Sequence, residues 1–441
     1  MKLVSKILLV ILLPGLFVAR LALPDTSTEA VNFPEPEQMS VSVDPLPLSI
    51  YCPGAFAEVG GESGVDIGAI DRIGTASIWL QQGVGQLLTD PGLATDTGSL
   101  AVISGSPQNT GLLSAIQTQG ISRDRADGLL ASYCPQPSYS GWFVNGSTAV
   151  GQESVLIISN PNDLEVQLTL VIDLGDEEIS QQLTLAAEET RVVPLATLAL
   201  LTPAFTVRYQ TSGQPISIAI QQRSTFGLNN RGLSLLTPMA EPATDSVISG
   251  LSIKAAGFEP TVARIYNPSQ LPTEVVITAI SSQFTKVFRQ NLDAGELSEI
   301  ELDLENGDYF LLVQAGQPVL AAVKNSVLLP AIDFSWLNQS ELFTDLSLPV
   351  PDYSTTLFIT NPGANAISVN LQVTGSQGPQ YQSLELPALS QVGIPVAGES
   401  LSITASGEFG AALELLDVPG YAVISASENE NFGDELSVSV R

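Results

Sequence analysis

The sequence predicts an all-β protein of tandem immunoglobulin-like β-sandwich modules that follow an N-terminal hydrophobic segment. Three observations predict this fold class. Apolar segments end in the dipeptide Asn-Pro at three places in the chain. After each of these corners a Gly-containing sequence motif precedes a further predicted strand, and within the strands apolar residues alternate with polar ones. The corner Asn residues are 107 and 94 residues apart, a period close to the length of a whole sandwich domain. The corners are Asn160-Pro161, Asn267-Pro268 and Asn361-Pro362.

Residues 1–23 have the pattern of an export segment. Lys2 and Lys6 precede a mostly apolar stretch, which predicts the amino terminus inside and the rest of the chain outside the membrane. Because no small-x-small cleavage site is present, we interpret the segment as a signal anchor, with a cleaved signal peptide and secretion as the alternative. Residues 24–48 are acidic and contain several Pro, which predicts an extended linker. The expected location is extracytoplasmic, anchored to the cell membrane.

Four modules are expected after the linker, strung end to end. The short sequence motif Ser140-Gly141-Trp142 at the start of one module matches Ser249-Gly250-Leu251 in the next. Ser335-Trp336 takes the same place in the last copy. The first module has two Cys and lacks the Asn-Pro corner, so it is a diverged member. The predicted bounds are 49–138, 139–240, 241–332 and 333–441.

Strand and corner patterns predict two packed sheets in each module. Ile367, Val369 and Leu371 alternate with polar residues, so one strand face is apolar and needs a second sheet to cover it. A Gly-containing turn followed by an alternating strand is expected at 211–221, 314–323 and 405–415. At each corner, Pro ends the strand and the Asn side chain caps the turn, which favours a structural role over ligand binding.

Cys52 and Cys134 are the only cysteines, and both lie in the part of the chain predicted to be outside the membrane. A pair of cysteines in an oxidising compartment predicts a disulfide. The bond would close a loop of roughly 80 residues and stabilise the fold by about 4–5 kcal/mol.

The charge balance excludes several classes of function. There are 46 acidic residues, 16 basic residues and no His. The negative field disfavours nucleic acid, and membrane contact is expected through the N-terminal segment only. Without His, the usual Ser-His-Asp and Cys-His centres are excluded, and no Gly-rich phosphate loop is present. No cofactor or metal is therefore expected. Residues 173–178 and 301–308 offer oxygens to Ca²⁺ but are better explained as solvated turns.

Three aromatic residues are candidates for stacking on a glycan: Tyr139, Trp142 and Trp336. Trp142 aligns with Leu251 of the next copy, which favours core packing over ligand contact. We therefore expect a non-enzymatic cell-envelope protein with a scaffold, adhesion or protein-interaction role, whose partner is an envelope protein or a glycan. A carbohydrate-binding module array is the alternative, followed by an envelope hydrolase with a carboxylate pair.

A set of short motifs resembles an uncharacterised family of secreted or membrane-anchored actinobacterial proteins, described as large secreted proteins with a domain of unknown function. The resemblance implies an envelope setting and supports the cysteine pair, and it implies no activity or site residue. The motifs are Tyr51-Cys52-Pro53-Gly54, Tyr133-Cys134-Pro135, Gly141-Trp142-Phe143 and Ile158-Ser159-Asn160-Pro161.

Overall fold

The structure is a computed structural model that describes residues 37–41, 49–60, 66–81, 101–104, 114–239, 241–254, 257–427 and 436–440. The chain divides into two compact units, Met1–Asp44 with Gly433–Arg441, and Pro45–Phe432. In the first unit, strand β1 (Glu37–Val41) pairs antiparallel with β31 (Leu436–Val440). The predicted anchor, residues 1–23, lies outside the described residues. Within the predicted linker, β1 is a paired strand of a two-stranded sheet rather than an unpaired spacer, because its backbone bonds to β31.

The second module is a two-layer sandwich of eight strands. One sheet has the order β12-β11-β14-β9 and the other has the order β13-β10-β15-β16. Along β11, every second side chain from Val166 to Ile172 is buried, as the alternation predicts. The strands are β9 (Ser140–Gly146), β10 (Gln152–Ser159), β11 (Val166–Asp173), β12 (Glu178–Leu185), β13 (Thr190–Pro194), β14 (Phe205–Ser212), β15 (Ser217–Phe226) and β16 (Asn229–Leu236), with a 3₁₀ turn at Leu195–Thr197.

The third and fourth modules repeat this topology with a difference in one strand. The sixth and seventh strands of the second module are separate, whereas the corresponding segment in each later module is one long strand that passes from one sheet to the other. The strands are β17 (Ala243–Ile253), β18 (Val262–Tyr266), β19 (Thr273–Ser281), β20 (Thr285–Leu292), β21 (Leu297–Glu301), β22 (Gly307–Val327), β23 (Asp333–Asn338), β24 (Phe343–Pro349), β25 (Thr355–Asn361), β26 (Ile367–Gly375), β27 (Gly378–Leu386), β28 (Ser390–Val396), β29 (Ser400–Asp417) and β30 (Gly420–Ser425).

Two details of the predicted repeat are therefore wrong. Gly213 lies in a turn with φ of +98°, but Gly316 and Gly407 lie inside β22 and β29, where the continuous strand changes sheets and no turn is needed. The predicted boundary at residue 333 also falls one strand too early. Ser335 and Trp336 belong to β23, which pairs with β22 and completes the third module.

The first module shares part of this plan. Its sheet β5-β7-β8 corresponds to β10-β15-β16 of the second module, including the final hairpin. Two further strand pairs, β2 with β6 and β3 with β4, complete its described part. The strands are β2 (Ser49–Cys52), β3 (Phe56–Gly60), β4 (Asp66–Ile73), β5 (Ser77–Gln81), β6 (Ala101–Ser104), β7 (Ser114–Arg123) and β8 (Ala126–Tyr133).

The predicted class, all-β with sandwich modules, is confirmed, but the modules of this unit are not strung end to end. They close into a ring, because the last strands of successive modules pack together: β8 against β16, β16 against β23, β23 against β30, and β30 against β8. Each junction has an apolar core shared by two modules. Phe334 of the third module, for example, is buried with residues of the second, and Tyr421 of the fourth with residues of the third. Burial of apolar surface between modules drives this closure.

Candidate functional site

The centre of the ring is occupied by the carboxylate of Asp333. It accepts four backbone N–H bonds of 2.8–2.9 Å, one from the last strand of every module. The donors are Leu129, Leu233, Phe334 and Tyr421. Asp333 has no exposed surface. One side chain therefore joins all four modules at a pseudo-fourfold axis.

Three glycines make room for this carboxylate. Gly128, Gly232 and Gly420 each directly precede one of the donor residues in the other three modules. A Cβ atom at Gly232 or Gly420 would overlap the Asp333 carboxylate, and one at Gly128 would lie 2.9 Å from its Oδ1. The four equivalent positions thus hold one Asp and three Gly, because the axis has space for a single side chain.

Two opposing effects act on the Asp333 carboxyl. Burial disfavours its charged form, and the four N–H donors favour it. Burial is the larger effect and raises the pKa of Asp333 to about 8. The group is a buried hydrogen-bonded junction with no access for a substrate, so its role is structural.

Sequence reasoning missed this axis. The available signal was a Gly in the first half of the last strand in three copies, with an acidic residue, Asp333, at the equivalent place of the other copy, where an apolar strand begins. A buried acid among apolar strand residues is rare unless it is paired or hydrogen-bonded.

The three Asn-Pro corners have matching surroundings. In each copy the Asn Nδ2 donates to the carbonyl four residues later and to the carbonyl 26 residues later, and its Oδ1 accepts the N–H two residues later. Asn160, Asn267 and Asn361 are at most 1% exposed. The side chain therefore ties the corner to the loop that follows the fourth strand, and this geometry explains why the motif recurs.

A disulfide joins Cys52 and Cys134, with a Cα–Cα distance of 4.6 Å. The segment after Cys52 is buried and is held by glutamine amides that imitate strand pairing. Gln117 exchanges two bonds of 2.7 Å with the backbone of Gly54, and Gln221 exchanges two of 2.8 Å with Ala57. Because Gln221 belongs to the second module, this segment fastens the first module to the second.

The proposed glycan-stacking set is not a shared surface. Trp336 is 4% exposed, its Nε1 donates to Gln222 at 2.8 Å, and Arg264 covers its ring at 4.8 Å, so the assignment of Trp336 to a stacking platform is wrong. It is buried because it fills the junction between the second and third modules. Trp142 is partly buried and packs on Tyr266. Tyr139 is 56% exposed.

One carboxylate in each acidic turn bonds to other groups of the protein. Asp173 accepts the N–H of Gly175 at 2.8 Å and the hydroxyl of Tyr266 at 2.7 Å, and Asp308 accepts the hydroxyl of Ser252 at 2.6 Å. Among the described residues, no group of three or more acids or cysteines is arranged to hold a metal ion. The part of the chain that the structure covers contains no helix with the length and apolar character of a membrane span.

One end of the ring carries exposed apolar residues. Ser335 bonds to Val423 and, further along both strands, Asn338 bonds to Ser425, so β23 and β30 run in the same direction. The turns that precede the last strands therefore lie at one end, which we call the turn end. Its apolar tips are Phe226 (71% exposed), Leu228 (98%), Leu329 (78%) and Val418 (73%).

These features define a class: a multi-module β-sandwich protein whose modules close around a buried polar axis. The chain belongs to the family described as "Family of unknown function (DUF5719)", which matches residues 94–350. No curated protein matches the sequence significantly. Among solved structures, the chain is similar to the FN1–FN3 domains of chicken CNTN1 at 9% identity, over 67% of this chain and 100% of that chain, with a TM-score of 0.11. A TM-score this low does not indicate a shared fold.

Proposed function

We propose that the protein is a non-enzymatic, extracytoplasmic cell-envelope protein that acts as a scaffold for protein interactions. The observation that carries this proposal is the ring closed around Asp333, which holds the turns of several modules at fixed spacing. The exposed apolar side chains of these turns offer surface that a partner protein can bury. The disulfide and the apolar N-terminal segment with Lys2 and Lys6 support a place outside the membrane.

The partner that fits the turn end is a protein of the envelope. Aliphatic and aromatic tips such as Leu228 and Phe226 bury well against an apolar protein surface. Of the three candidate stacking rings, Trp336 is buried and Trp142 is partly buried, which leaves Tyr139 as the exposed member of that set.

Site-specific crosslinking in intact cells tests this function. A photo-reactive p-benzoylphenylalanine replaces Leu228 or Leu329 at the turn end, or Tyr381, which is 74% exposed on β27, as the control. We expect both turn-end positions to capture the same envelope protein and the control position not to capture it. Capture of the same species from all three positions, or of nothing from the turn end, contradicts the proposal.

The thiol state tests the compartment independently. Protein recovered from cells that were alkylated before lysis should carry no modified Cys, because Cys52 and Cys134 form a disulfide outside the membrane. Two alkylated thiols in the non-reduced protein would place the modules in a reducing compartment.

A further inference from the structure

A groove lies between the third and fourth modules, away from the axis. Its cavity volume is about 800 Å³, within the range of sites that bind ligands. It is bounded by the beginning of β17, the connection from β23 to β24, the Asn361 corner loop and the bend of β29. Two modules that are fixed to each other by the ring form its walls.

The charges in this groove have one sign. Of the described residues that line it, four carry carboxylates and none is Lys or Arg. Asp245 accepts hydrogen bonds from the neutral groups of Thr244 and Gln314, both at 3.1 Å. The four acids are Glu241, Asp245, Glu341 and Glu408.

The remainder of the lining includes apolar side chains. Val247 and Ile367 are buried beneath the groove, and Leu342 is 40% exposed beside it. A surface of this kind suits the aliphatic stems of Lys and Arg, whose charged ends then reach the carboxylates at the rim.

One wall of the groove is a sheet edge. β17 is the terminal strand of the sheet β20-β19-β22-β17, and Val247 on its outer edge accepts a bond of 2.7 Å from the N–H of Ser340. Because backbone groups point to the same edge at every second residue, those of Asp245 face the groove. Since Ser340 already pairs with Val247, an extended peptide that lies there would pair with the backbone groups of Asp245, and its alternate side chains would enter the groove.

We propose that this groove binds an extended segment of a partner protein that carries Lys or Arg at alternate positions. The proposal rests on the protein-interaction function proposed above and names the chemistry of one contact. Opposite charge selects the segment, the β17 edge fixes its direction, and the apolar floor holds the aliphatic stems.

Binding of a defined peptide tests the proposal. The probe is a fluorescein-labelled octapeptide of alternating Lys and Thr, measured by fluorescence anisotropy at constant ionic strength. We expect the triple variant E241Q/D245N/E408Q to weaken binding at least ten-fold. The control variant D176N/E177Q/E305Q removes the same three charges at exposed positions outside the groove, and we expect less than a three-fold change.

A second variant separates occupancy from charge. Ala364→Trp, at an exposed position in the lining, fills the groove without a change in charge and should also weaken binding at least ten-fold. Equal losses in both triple variants would show a diffuse field and overturn the proposal, as would failure of the peptide to bind the unmodified protein. These outcomes leave the turn-end crosslinks unaffected, so failure of the groove and failure of the scaffold function are distinguishable.

Discussion

Several buried polar side chains in this protein hydrogen-bond to backbone N–H and C=O groups that would otherwise have no partner. The corner Asn residues bond to carbonyls on two loops, and Asp333 bonds to amides of four strands. Buried backbone groups without partners cost about 1–3 kcal/mol each. Single-atom changes at these side chains should therefore have large effects.

Asn267→Asp tests the corner. The substitution replaces the Nδ2 donor, which faces the carbonyls of Leu271 and Asp293, with a negatively charged oxygen. We expect a loss of about 3–5 kcal/mol in the free energy of unfolding, measured by denaturant titration. Asn306→Asp, at an exposed position, should change it by less than about 0.5 kcal/mol. Equal effects of the two substitutions would contradict the structural role.

Gly420→Ala tests the crowding at the axis. The added methyl group would overlap the Asp333 carboxylate and lie 2.6 Å from the backbone nitrogen of Leu129. We expect a loss of more than about 3 kcal/mol in the free energy of unfolding. Gly316→Ala is the matched control, because its Cβ would meet only the Thr273 hydroxyl at 3.4 Å. A tolerated Gly420→Ala would mean that the four strands do not converge as described.

The pKa of Asp333, raised by burial to about 8, predicts a pH dependence. Between about pH 4 and pH 8 the folded state holds a proton that the unfolded state has released, so the free energy of unfolding falls as pH rises, by at most about 1.4 kcal/mol per unit. Carbon-13 NMR of the aspartate carboxyls should show one group titrating near pH 8. If every aspartate titrates below pH 5, the N–H bonds outweigh burial.

The modules differ in how two of their strands are connected and in how the first module is cross-linked. The sixth and seventh strands are separated by a turn at Gly213 in the second module and fused in β22 and β29. The first module depends instead on a covalent bond and on the glutamine-bound segment that includes Gly54 and Ala57. The described sheets of the first module have only two or three strands, and this module has a covalent cross-link that the other modules lack.

Removal of the disulfide tests this constraint. The double variant C52A/C134A opens a loop with a sequence separation of 82 residues, and we expect a loss of about 4 kcal/mol in the free energy of unfolding. Denaturant titration of the variant, and of the reduced parent protein, should give similar midpoints below that of the oxidised protein. An unchanged midpoint in both would show that packing alone holds the first module.

At the scale of the whole unit, shared cores make the modules depend on one another. Trp336 and Phe334 of the third module are buried with the second, and Leu129 of the first is buried with the fourth. Loss of one module would expose apolar surface on two others. The ring should therefore unfold as one body.

Single-tryptophan variants test this cooperativity. Trp79 lies in β5 of the first module, Trp142 in β9 of the second and Trp336 in β23 of the third, and these are the only three tryptophans. Each variant should show one fluorescence transition, and within each variant its midpoint should coincide with that of the far-UV circular dichroism transition. A fluorescence midpoint that departs from the circular dichroism midpoint in any variant would indicate modules that unfold separately.

The sandwich class, the repeated corners and the cysteine pair could be predicted before the structure, because they depend on local alternation, turn chemistry and residue type. The ring, the axis and the buried place of Trp336 depend instead on contacts between modules that are far apart in the chain. The space at the axis admits one carboxylate, so one module has Asp at the position where the other three have Gly. Because Asp333 differs from the glycines at the equivalent positions, a comparison of residues that recur in every copy does not reveal it.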